Sequence, residues 1–157
     1  MISHKRLAGL RAVRAKGVGR MLLLARRDFL ARVQDKIAAR GGAHMPASWA
    51  GLLPYIDVDG TRSTVLAQRA GISKQAVGKV VRELEELGLL TRSADAADGR
   101  AFLVTFTPRG LERLLQTHEA ISEVEAEYEA LVGPEAMAVL RRALHLIAYS
   151  RGERPTA

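Results

Sequence analysis

The sequence predicts a mainly α-helical fold that carries one small β-hairpin, and three observations predict it. Apolar residues recur at helical spacing along most of the 157 residues. Alternation of apolar and polar residues, which is typical of strands, is confined to about residues 89–107. Glycine or proline stands where helices should end or begin, as at Gly71, Gly88 and Pro108. A content of 48% hydrophobic and 26% charged residues fits one globular domain with its own core.

The first predicted helix covers residues 5–40 and ends at Gly41-Gly42. Its apolar residues fall close to one face: Leu22, Leu23, Phe29, Leu30, Val33 and Ile37. An Arg-rich, acid-poor start also suits a transit peptide or a basic helix lying on a membrane surface. Asp28 and Asp35 among the bases, and direct continuation into the next segments, favour a helix of the fold.

Three shorter helices follow. The second begins near Pro46 with Ser48 as N-cap and ends in the turn at 57–60. Ser63 or Thr64 caps the third helix, which runs through Ala70 before the turn at Gly71. The fourth helix begins after Ser73, ends near Leu87 and turns at Gly88. Its predicted inner face consists of Val77, Val80, Val81, Leu84 and Leu87.

The hairpin and two long helices complete the predicted fold. Residues 89–93 and 101–107 form the strands, and the link 94–100 is rich in turn formers. Thr107 caps the next helix with Pro108 at its first position, and Gly133-Pro134 ends that helix. The apolar stripe of that helix consists of Leu111, Leu114, Leu115, Ile121, Val124, Tyr128 and Leu131. A last helix runs to about Tyr149.

A helix, a glycine turn, a second helix with a polar outer face and a hairpin follow one another in the sequence. This order predicts a motif that binds duplex DNA. Gln75 can pair with adenine and Lys79 can reach guanine, while Arg82 is placed for a phosphate. Gly78 costs a helix roughly 1 kcal/mol relative to alanine, which close approach of DNA or of a neighbouring helix would explain. Near the hairpin tip, Arg100 is expected to enter a minor groove, and Asp98 is expected to hold Arg100 or a neighbouring arginine in position.

The predicted DNA-contacting residues share a place on the polar face, at the helix starts or on the hairpin. They are Arg62, Ser63, Thr64, Ser73, Lys74, Gln75, Ala76, Gly78, Lys79, Arg82, Arg92, Asp98 and Arg100. Taken alone, Lys79 or Arg82 more often belongs to a solvated surface. The ordered combination is what favours DNA.

The net charge of +7 is unevenly spread. Residues 1–40 carry eleven Lys or Arg and two Asp, a net +9, whereas 41–107 carry seven of each sign. Residues 108–157 have six basic and eight acidic residues, a net −2. A basic balance indicates an anionic partner, but the surplus lies outside the helix-turn-helix segment.

These motifs resemble the MarR family of winged-helix transcriptional regulators. The matching features are Asp-Gly-Thr-Arg at 59–62, Leu-Ala-Gln-Arg-Ala-Gly-Ile-Ser-Lys-Gln-Ala-Val at 66–77, Leu-Glu-Glu-Leu-Gly-Leu-Leu at 84–90, Asp-Gly-Arg at 98–100 and Thr-Pro-Arg-Gly at 107–110. The resemblance covers roughly residues 18–149 and is strongest from 60 to 110.

The resemblance implies a winged helix-turn-helix with dimerisation helices at both ends. It divides the chain into a basic N-terminal dimerisation helix at 1–46, a DNA-binding lobe at 47–108, and C-terminal dimerisation helices with a tail at 109–157. The homodimer would pack through Leu22, Leu140, Leu144 and Ile147. Its recognition helices, residues 73–87, would read a pseudo-palindromic operator in the major groove while Arg100 enters the minor groove.

The resemblance also implies a cytoplasmic, nucleoid-associated repressor that a small aromatic or lipophilic ligand releases. The candidate effector-binding residues are His44, Trp49 and Leu53. The alternative is an architectural or weakly specific DNA-binding protein without an effector. A large ratio of specific to non-specific affinity separates the two.

An enzyme is the main rival from another class, and the sequence does not favour it. It has no phosphate loop, no Rossmann glycine pattern and no nucleophile elbow. The four histidines are scattered, so no metal or other cofactor is expected. The absence of cysteine excludes disulfides and thiol sensing. The longest apolar run, Met21 to Ala25, is too short to span a bilayer, so no membrane partner is expected.

Overall fold

The structure is a computed structural model, and it describes residues 2–94 and 101–150. These residues form seven α-helices, a short 3-10 helix and three strands. The helices are α1 His4–Lys16, α2 Val18–Ala39, α3 Ala47–Ala50, α4 Ser63–Ala70, α5 Lys74–Glu86, α6 Pro108–Val132 and α7 Pro134–Ala148, with the 3-10 helix at Leu53–Tyr55. The strands are β1 Thr61–Arg62, β2 Leu90–Ala94 and β3 Phe102–Phe106.

The three strands form one antiparallel sheet in the order β1-β3-β2. In the hairpin, Leu90 is opposite Phe106 and Arg92 is opposite Val104. Strand β1, which the sequence did not predict, adds Thr61 on the other side of Val104. Because β1 leads directly into α4, the sheet joins the hairpin to the helix-turn-helix as one unit.

The main core lies between α4, α5 and the sheet. Leu66 of α4, Val77, Val81 and Leu84 of α5 and Val104 of β3 are fully buried there. Burying a side chain of this size contributes roughly 1.5–3 kcal/mol. The inner face of α5 is therefore held by several such contacts, which fixes the direction of its outer face.

A second, smaller core joins α2 to α6. It consists of Val33 and Ile37 on α2 and Ala120 and Val124 on α6. Tyr128 and Phe29 pack against it with ring centroids 6.4 Å apart. The winged lobe is connected to this pair of helices at the start of α6, which directly follows β3.

A row of ion pairs runs beside this second core. Arg32 contacts Asp28 at 2.8 Å and Glu127 at 2.9 Å. Lys36 contacts Glu127 at 2.6 Å and Glu123 at 3.3 Å. Arg40 also pairs with Glu123. The cations of α2 that follow Asp28 are thus neutralised by α6.

Most predicted helix ends are confirmed. The Ser73 hydroxyl caps α5 by accepting from the Ala76 N–H at 3.1 Å. Gly71 closes α4 with φ +65°. The Thr107 hydroxyl accepts from the Gly110 N–H at 3.0 Å and donates to the Gly88 carbonyl at 2.6 Å. This last pair fastens the first turn of α6 to the turn that follows α5.

Four predicted boundaries are wrong. The second helix, expected to run from Pro46 to the turn at 57–60, ends at Ala50 and is followed by the separate 3-10 helix. The single helix at 5–40 is two helices, because Gly17 adopts ψ 123° and ends the first one. A Cβ at Gly17 would lie 2.8 Å from the Val13 carbonyl oxygen, so the bend favours glycine. Ser48 lies inside α3 and does not cap it. Helix α4 begins at Ser63 after Arg62, and neither Ser63 nor Thr64 is its N-cap.

Some residues of the predicted apolar stripes lie outside the cores. Leu23, Leu87, Leu115 and Leu131 are all exposed in the single chain. Their helical spacing is right, but the described part of the chain provides no element that covers them. Helical periodicity identifies an apolar face, whereas burial also requires a neighbour on that face.

Gly110 tests the junction between the lobe and α6. A Cβ at this position would lie 1.9 Å from the Leu89 carbonyl oxygen, a backbone atom that cannot turn aside. Gly110→Ala should therefore lower the free energy of unfolding by roughly 1–3 kcal/mol or more, as overpacking does. Urea denaturation measures it. Gly9→Ala is the matched control, because a Cβ there meets no atom within 4 Å. Equal stability of Gly110→Ala and the unsubstituted protein would contradict the packing.

The ion-pair row predicts acid sensitivity. Hydrogen bonds from Arg32 and then Tyr128 hold the pKa of Asp28 below its usual value. Hydrogen bonds from Lys36 and then Arg32 lower the pKa of Glu127. Lowered carboxyl pKa values stabilise the fold above the ordinary carboxyl range of about 4, and that stability is lost as pH falls through the folded values.

Removing both carboxylates should therefore flatten the loss of stability in acid. In Asp28→Asn/Glu127→Gln, the thermal midpoint should fall less between about pH 5 and pH 3 than it does in the unsubstituted protein. Glu119→Gln is the control, since Glu119 makes no ion pair within residues 2–94 and 101–150. Identical pH profiles for the double variant and this control would show that the row does not contribute.

Candidate nucleic-acid interface

The outer face of α5 is the most distinctive polar surface of the lobe. Since Val77, Val80, Val81 and Leu84 are buried, the opposite side of the helix faces solvent. It presents exposed side chains with hydrogen-bonding or positive groups: Ser73, Lys74, Gln75, Lys79 and Arg82. The sequence prediction of a buried inner face is correct for every residue except Leu87, which is exposed.

A shallow hollow of about 320 Å³ runs along this face. It is lined by Ser73, Gln75, Ala76, Lys79 and Arg82. None of these residues is acidic. By contrast, a hollow of about 610 Å³ between α6 and α7 includes Glu125, Glu129 and Arg141, with Arg141 bonded to Glu125 at 3.2 Å. The α5 hollow therefore suits an anion better.

The start of α5 adds a second feature that suits an anion. The Ser73 cap satisfies the Ala76 N–H, and the first turn carries Lys74 and no acidic residue. The first N–H groups of a helix point outward and lack partners in the helix itself. A phosphate at this end would meet those N–H groups and the Lys74 ammonium.

Gly78 lies in the middle of the outer face, on the same side as Gln75 and Arg82. A Cβ at Gly78 would meet no atom of the described chain within 4 Å. Packing against a neighbouring helix therefore does not explain the glycine. The sequence left two explanations for this glycine, a neighbouring helix or DNA close to the backbone. The open space around Gly78 favours close approach of an external partner.

Two predicted DNA-contacting residues are engaged within the protein. Ser63 is buried, and its hydroxyl accepts from the Phe102 N–H at 3.3 Å, so this side chain is turned into the lobe. Arg92 pairs with Glu85 at 2.6 Å and lies 5.3 Å from the centre of the Phe102 ring. Its guanidinium is held on the sheet rather than turned freely outward.

Of the remaining predicted DNA-contacting residues, some lie in the described part of the chain and two do not. Arg62 is exposed on β1, and Thr64 is half-buried in the first turn of α4. Asp98 and Arg100 lie outside the described residues. Their segment joins the paired strands β2 and β3.

The candidate effector residues lie beside the lobe. Trp49 and Leu53 pack against the main core, whereas His44 is exposed in the loop before α3. The Trp49 indole N–H donates to the Glu83 carboxylate of α5 at 3.0 Å. Glu83 is not among the predicted residues, and no pattern in the sequence indicates this contact, because the two residues are 34 positions apart.

A second contact that the sequence analysis missed holds the approach to β1. Arg69 of α4 donates to the Asp57 carboxylate at 2.8 Å and to the Tyr55 carbonyl at 3.3 Å. Asp57 also accepts from the Thr61 hydroxyl at 3.1 Å. The sequence indicated only a turn former at Asp57, whereas the structure gives it a role in fixing α4.

The predicted dimerisation residues are exposed in the single chain. Leu22 on α2 and Leu140, Leu144 and Ile147 on α7 all lie at the surface. On α7 only Met137 is buried. Apolar residues thus face outward at both ends of the described chain.

Helix α4, the turn at Gly71, helix α5 and the three-stranded sheet together make this a winged helix-turn-helix protein. Residues 45–101 match the model described as MarR family. In this lobe the chain is similar to the MarR family.

Known proteins agree with this assignment. The chain is 39% identical over 51 residues to an HTH-type transcriptional repressor of Mycobacterium tuberculosis, covering 32% of this chain and 37% of that protein. It thus spans less than half the length of the curated relatives it matches. A structure described as a transcriptional regulator from Pseudomonas aeruginosa is 26% identical, with a TM-score of 0.67 over 85% of this chain and 98% of that one.

A third similar structure was solved with DNA. The transcriptional repressor CouR bound to a 23-mer DNA duplex superposes with a TM-score of 0.70 at 22% identity, over 87% of this chain and 95% of CouR. CouR of Rhodococcus jostii RHA1 was also solved bound to p-coumaroyl-CoA. At this identity the likeness shows the fold.

Two other kinds of site are not found in the described part of the chain. Across residues 2–94 and 101–150, no helix is both long and apolar enough to cross a bilayer. In the same ranges, histidine, aspartate and glutamate nowhere gather in threes as metal ligands would.

Gly78→Ala should have opposite effects on the stability of the protein and on its affinity for DNA. Gly78→Ala should raise the free energy of unfolding by roughly 0.5–1 kcal/mol, because alanine favours the helix and meets no neighbour. The same methyl should weaken binding to duplex DNA about tenfold, or about 1.4 kcal/mol, by holding the backbone away. Urea denaturation and fluorescence anisotropy measure the two effects. A more stable variant with unchanged DNA affinity would contradict the proposed close approach.

Proposed function

We propose that the protein is a sequence-specific regulator of transcription that binds double-stranded DNA as a homodimer. The observation that carries this proposal is the outer face of α5. This face is polar and cationic, and Gly78 at its centre has open space around it. The opposite face of α5 is buried, which fixes the orientation of the helix. A helix presented in this way fits the major groove.

Each side chain on the outer face of α5 has a role in this proposal. Gln75 in the first turn reads adenine, and Lys79 one turn later reads guanine through O6 and N7. Arg82 and the N–H groups at the start of α5 bind phosphates, which position the helix without reading bases. Arg100 enters the adjacent minor groove, held by Asp98. Phosphate contacts set affinity, and Gln75 and Lys79 set specificity.

The dimer follows from the apolar surface at both ends of the described chain. Two copies that cover Leu22, Leu140, Leu144 and Ile147 on each other would bury side chains that a single copy exposes. A two-fold dimer would present two α5 helices to half-sites about 34–36 Å apart. The operator is then a pseudo-palindrome, and the protein acts at the nucleoid in the cytoplasm.

Repression with release by a small ligand is the regulatory mode we propose. Its support is the similarity to CouR, a repressor solved both with DNA and with p-coumaroyl-CoA. In this chain Trp49, Leu53 and His44 are the candidate residues for an aromatic or lipophilic effector. Since Trp49 bonds Glu83 of α5, a ligand that moves Trp49 would disturb the recognition helix directly.

Selection of bound duplexes from a random pool, followed by anisotropy on the enriched site and a scrambled duplex, tests the function. A regulator should prefer its site by roughly a thousandfold or more at physiological salt. Equal binding to both duplexes would instead support the architectural alternative, which has no effector.

Gln75→Ala should relax base preference at one position in each half-site. Removing a bidentate pairing with adenine costs about 1–3 kcal/mol of discrimination. Selected sites of the variant should therefore become degenerate at that position while other positions stay the same. Gln116→Ala, an exposed glutamine on α6, is the matched control. A variant with the full original base preference would remove Gln75 from the readout.

Leu144→Glu should disrupt the dimer. A carboxylate in a desolvated apolar interface is strongly unfavourable, so sedimentation at micromolar concentration should show monomers. Leu146→Glu is the control, because Leu146 is exposed on α7 but lies off the row formed by Leu140, Leu144 and Ile147. A Leu144→Glu dimer of normal stability would remove this part of α7 from the interface.

A further inference from the structure

The positive charge of this protein is concentrated in its first 27 residues. They contain eight Lys or Arg and no acidic residue. Residues 28–157 contain the other 16 basic and all 17 acidic residues, a net −1. The winged lobe at 41–107 is itself neutral overall. The surplus that would attract a polyanion therefore belongs to α1 and the first turns of α2.

None of these cations forms an ion pair with a carboxylate of the described residues, although Arg32 and, to a smaller extent, Arg27 lower the pKa of the neighbouring Asp28. Within residues 2–94 and 101–150, every ion pair of the N-terminal helices involves Arg32, Lys36 or Arg40, which follow Asp28. The cations that precede Asp28 are exposed: Lys5, Arg6, Arg11, Arg14, Lys16, Arg20, Arg26 and Arg27. Arg20 donates to the Arg14 carbonyl at 3.2 Å, which ties the start of α2 to the end of α1.

The arrangement of charge around α1 favours a polyanion over a lipid surface. A helix that lies on a membrane separates an apolar face from a basic one. In α1, Arg6 and Arg14 lie four residues before and after Leu10, in the same row of the helix surface. Lys5, Arg11 and Lys16 occupy the other sides. Helix α1 thus offers cations in several directions and no continuous apolar face.

We propose that α1 is an additional DNA-binding element, which grips the phosphates of duplex DNA flanking the operator. This inference rests on the proposed function, since it adds a contact to the same DNA. Helix α1 has 13 residues and is about 20 Å long, enough to follow several phosphates. Because it contributes charge alone, it raises affinity without reading bases.

The salt dependence of binding tests this directly. In the full chain, the five cations of α1 are replaced as Lys5→Gln, Arg6→Gln, Arg11→Gln, Arg14→Gln and Lys16→Gln. A second variant exchanges the same five residues between Lys and Arg and so keeps the charge. Anisotropy is measured against salt on a duplex that ends at the operator and on one with about 10 bp more on each side.

The unsubstituted protein should bind the flanked duplex more tightly and with a steeper dependence of log affinity on log salt. The glutamine variant should lose that gain. Its slope on the flanked duplex should fall by up to about 4.5 per protomer, since each phosphate that α1 neutralises adds about 0.9 to the slope. The charge-keeping variant should retain the gain. Circular dichroism checks that the glutamine variant keeps its helix content.

The outcomes separate this inference from the proposed function. Gln75→Ala should lose base preference at one position of each half-site but keep the flank gain. The glutamine variant of α1 should keep the full base preference but lose the flank gain. An unchanged slope in the glutamine variant overturns the role of α1 and leaves the recognition helix in place. Flank gain without base preference supports α1 and overturns the sequence-specific function. Binding of phosphatidylglycerol vesicles through α1, with no flank gain on DNA, overturns the inference in favour of a membrane.

Discussion

The burial of one face of α5 is the constraint on which the rest of the structure depends. Val77, Val81 and Leu84 are fully enclosed by α4 and the sheet, so the helix cannot roll without exposing them. Gln75, Gly78, Lys79 and Arg82 consequently share a direction set by packing and not by their own contacts. A helix held in this way can place these side chains against base edges without a further loss of backbone conformational entropy on binding.

The cations of α1 and α2 fall into two groups, those before Asp28 and those after it. On α2, the cations after Asp28 are neutralised by Glu123 and Glu127 of α6, which makes them part of the scaffold. The cations before Asp28 have no such partners in the described chain and remain available to an anion. The lobe itself is neutral overall, and three of its seven cations lie on α5: Lys74, Lys79 and Arg82. Base reading and electrostatic attraction can therefore reside in different elements.

Local signals in the sequence predicted most helices and strands. Contacts between residues far apart in the sequence could not be predicted. Ser73, Gly71, Thr107 and Pro108 define helix ends through groups within four residues of them, so their roles could be read directly. Strand β1 is two residues long and exists only because it pairs with β3. The Ser63 hydroxyl points to Phe102, Arg92 to Glu85, and Trp49 to Glu83. These partners depend on tertiary packing, which no spacing in the sequence reveals.

The central claim, that the outer face of α5 lies in a major groove, is tested most directly by methylation interference. Dimethyl sulfate marks N7 of guanine in the major groove and N3 of adenine in the minor groove of the selected site. We predict that guanine methylation blocks binding at two clusters about 10 bp apart, one for each α5 of a dimer. Tight binding that no guanine methylation weakens, or that only adenine methylation weakens, would contradict this claim.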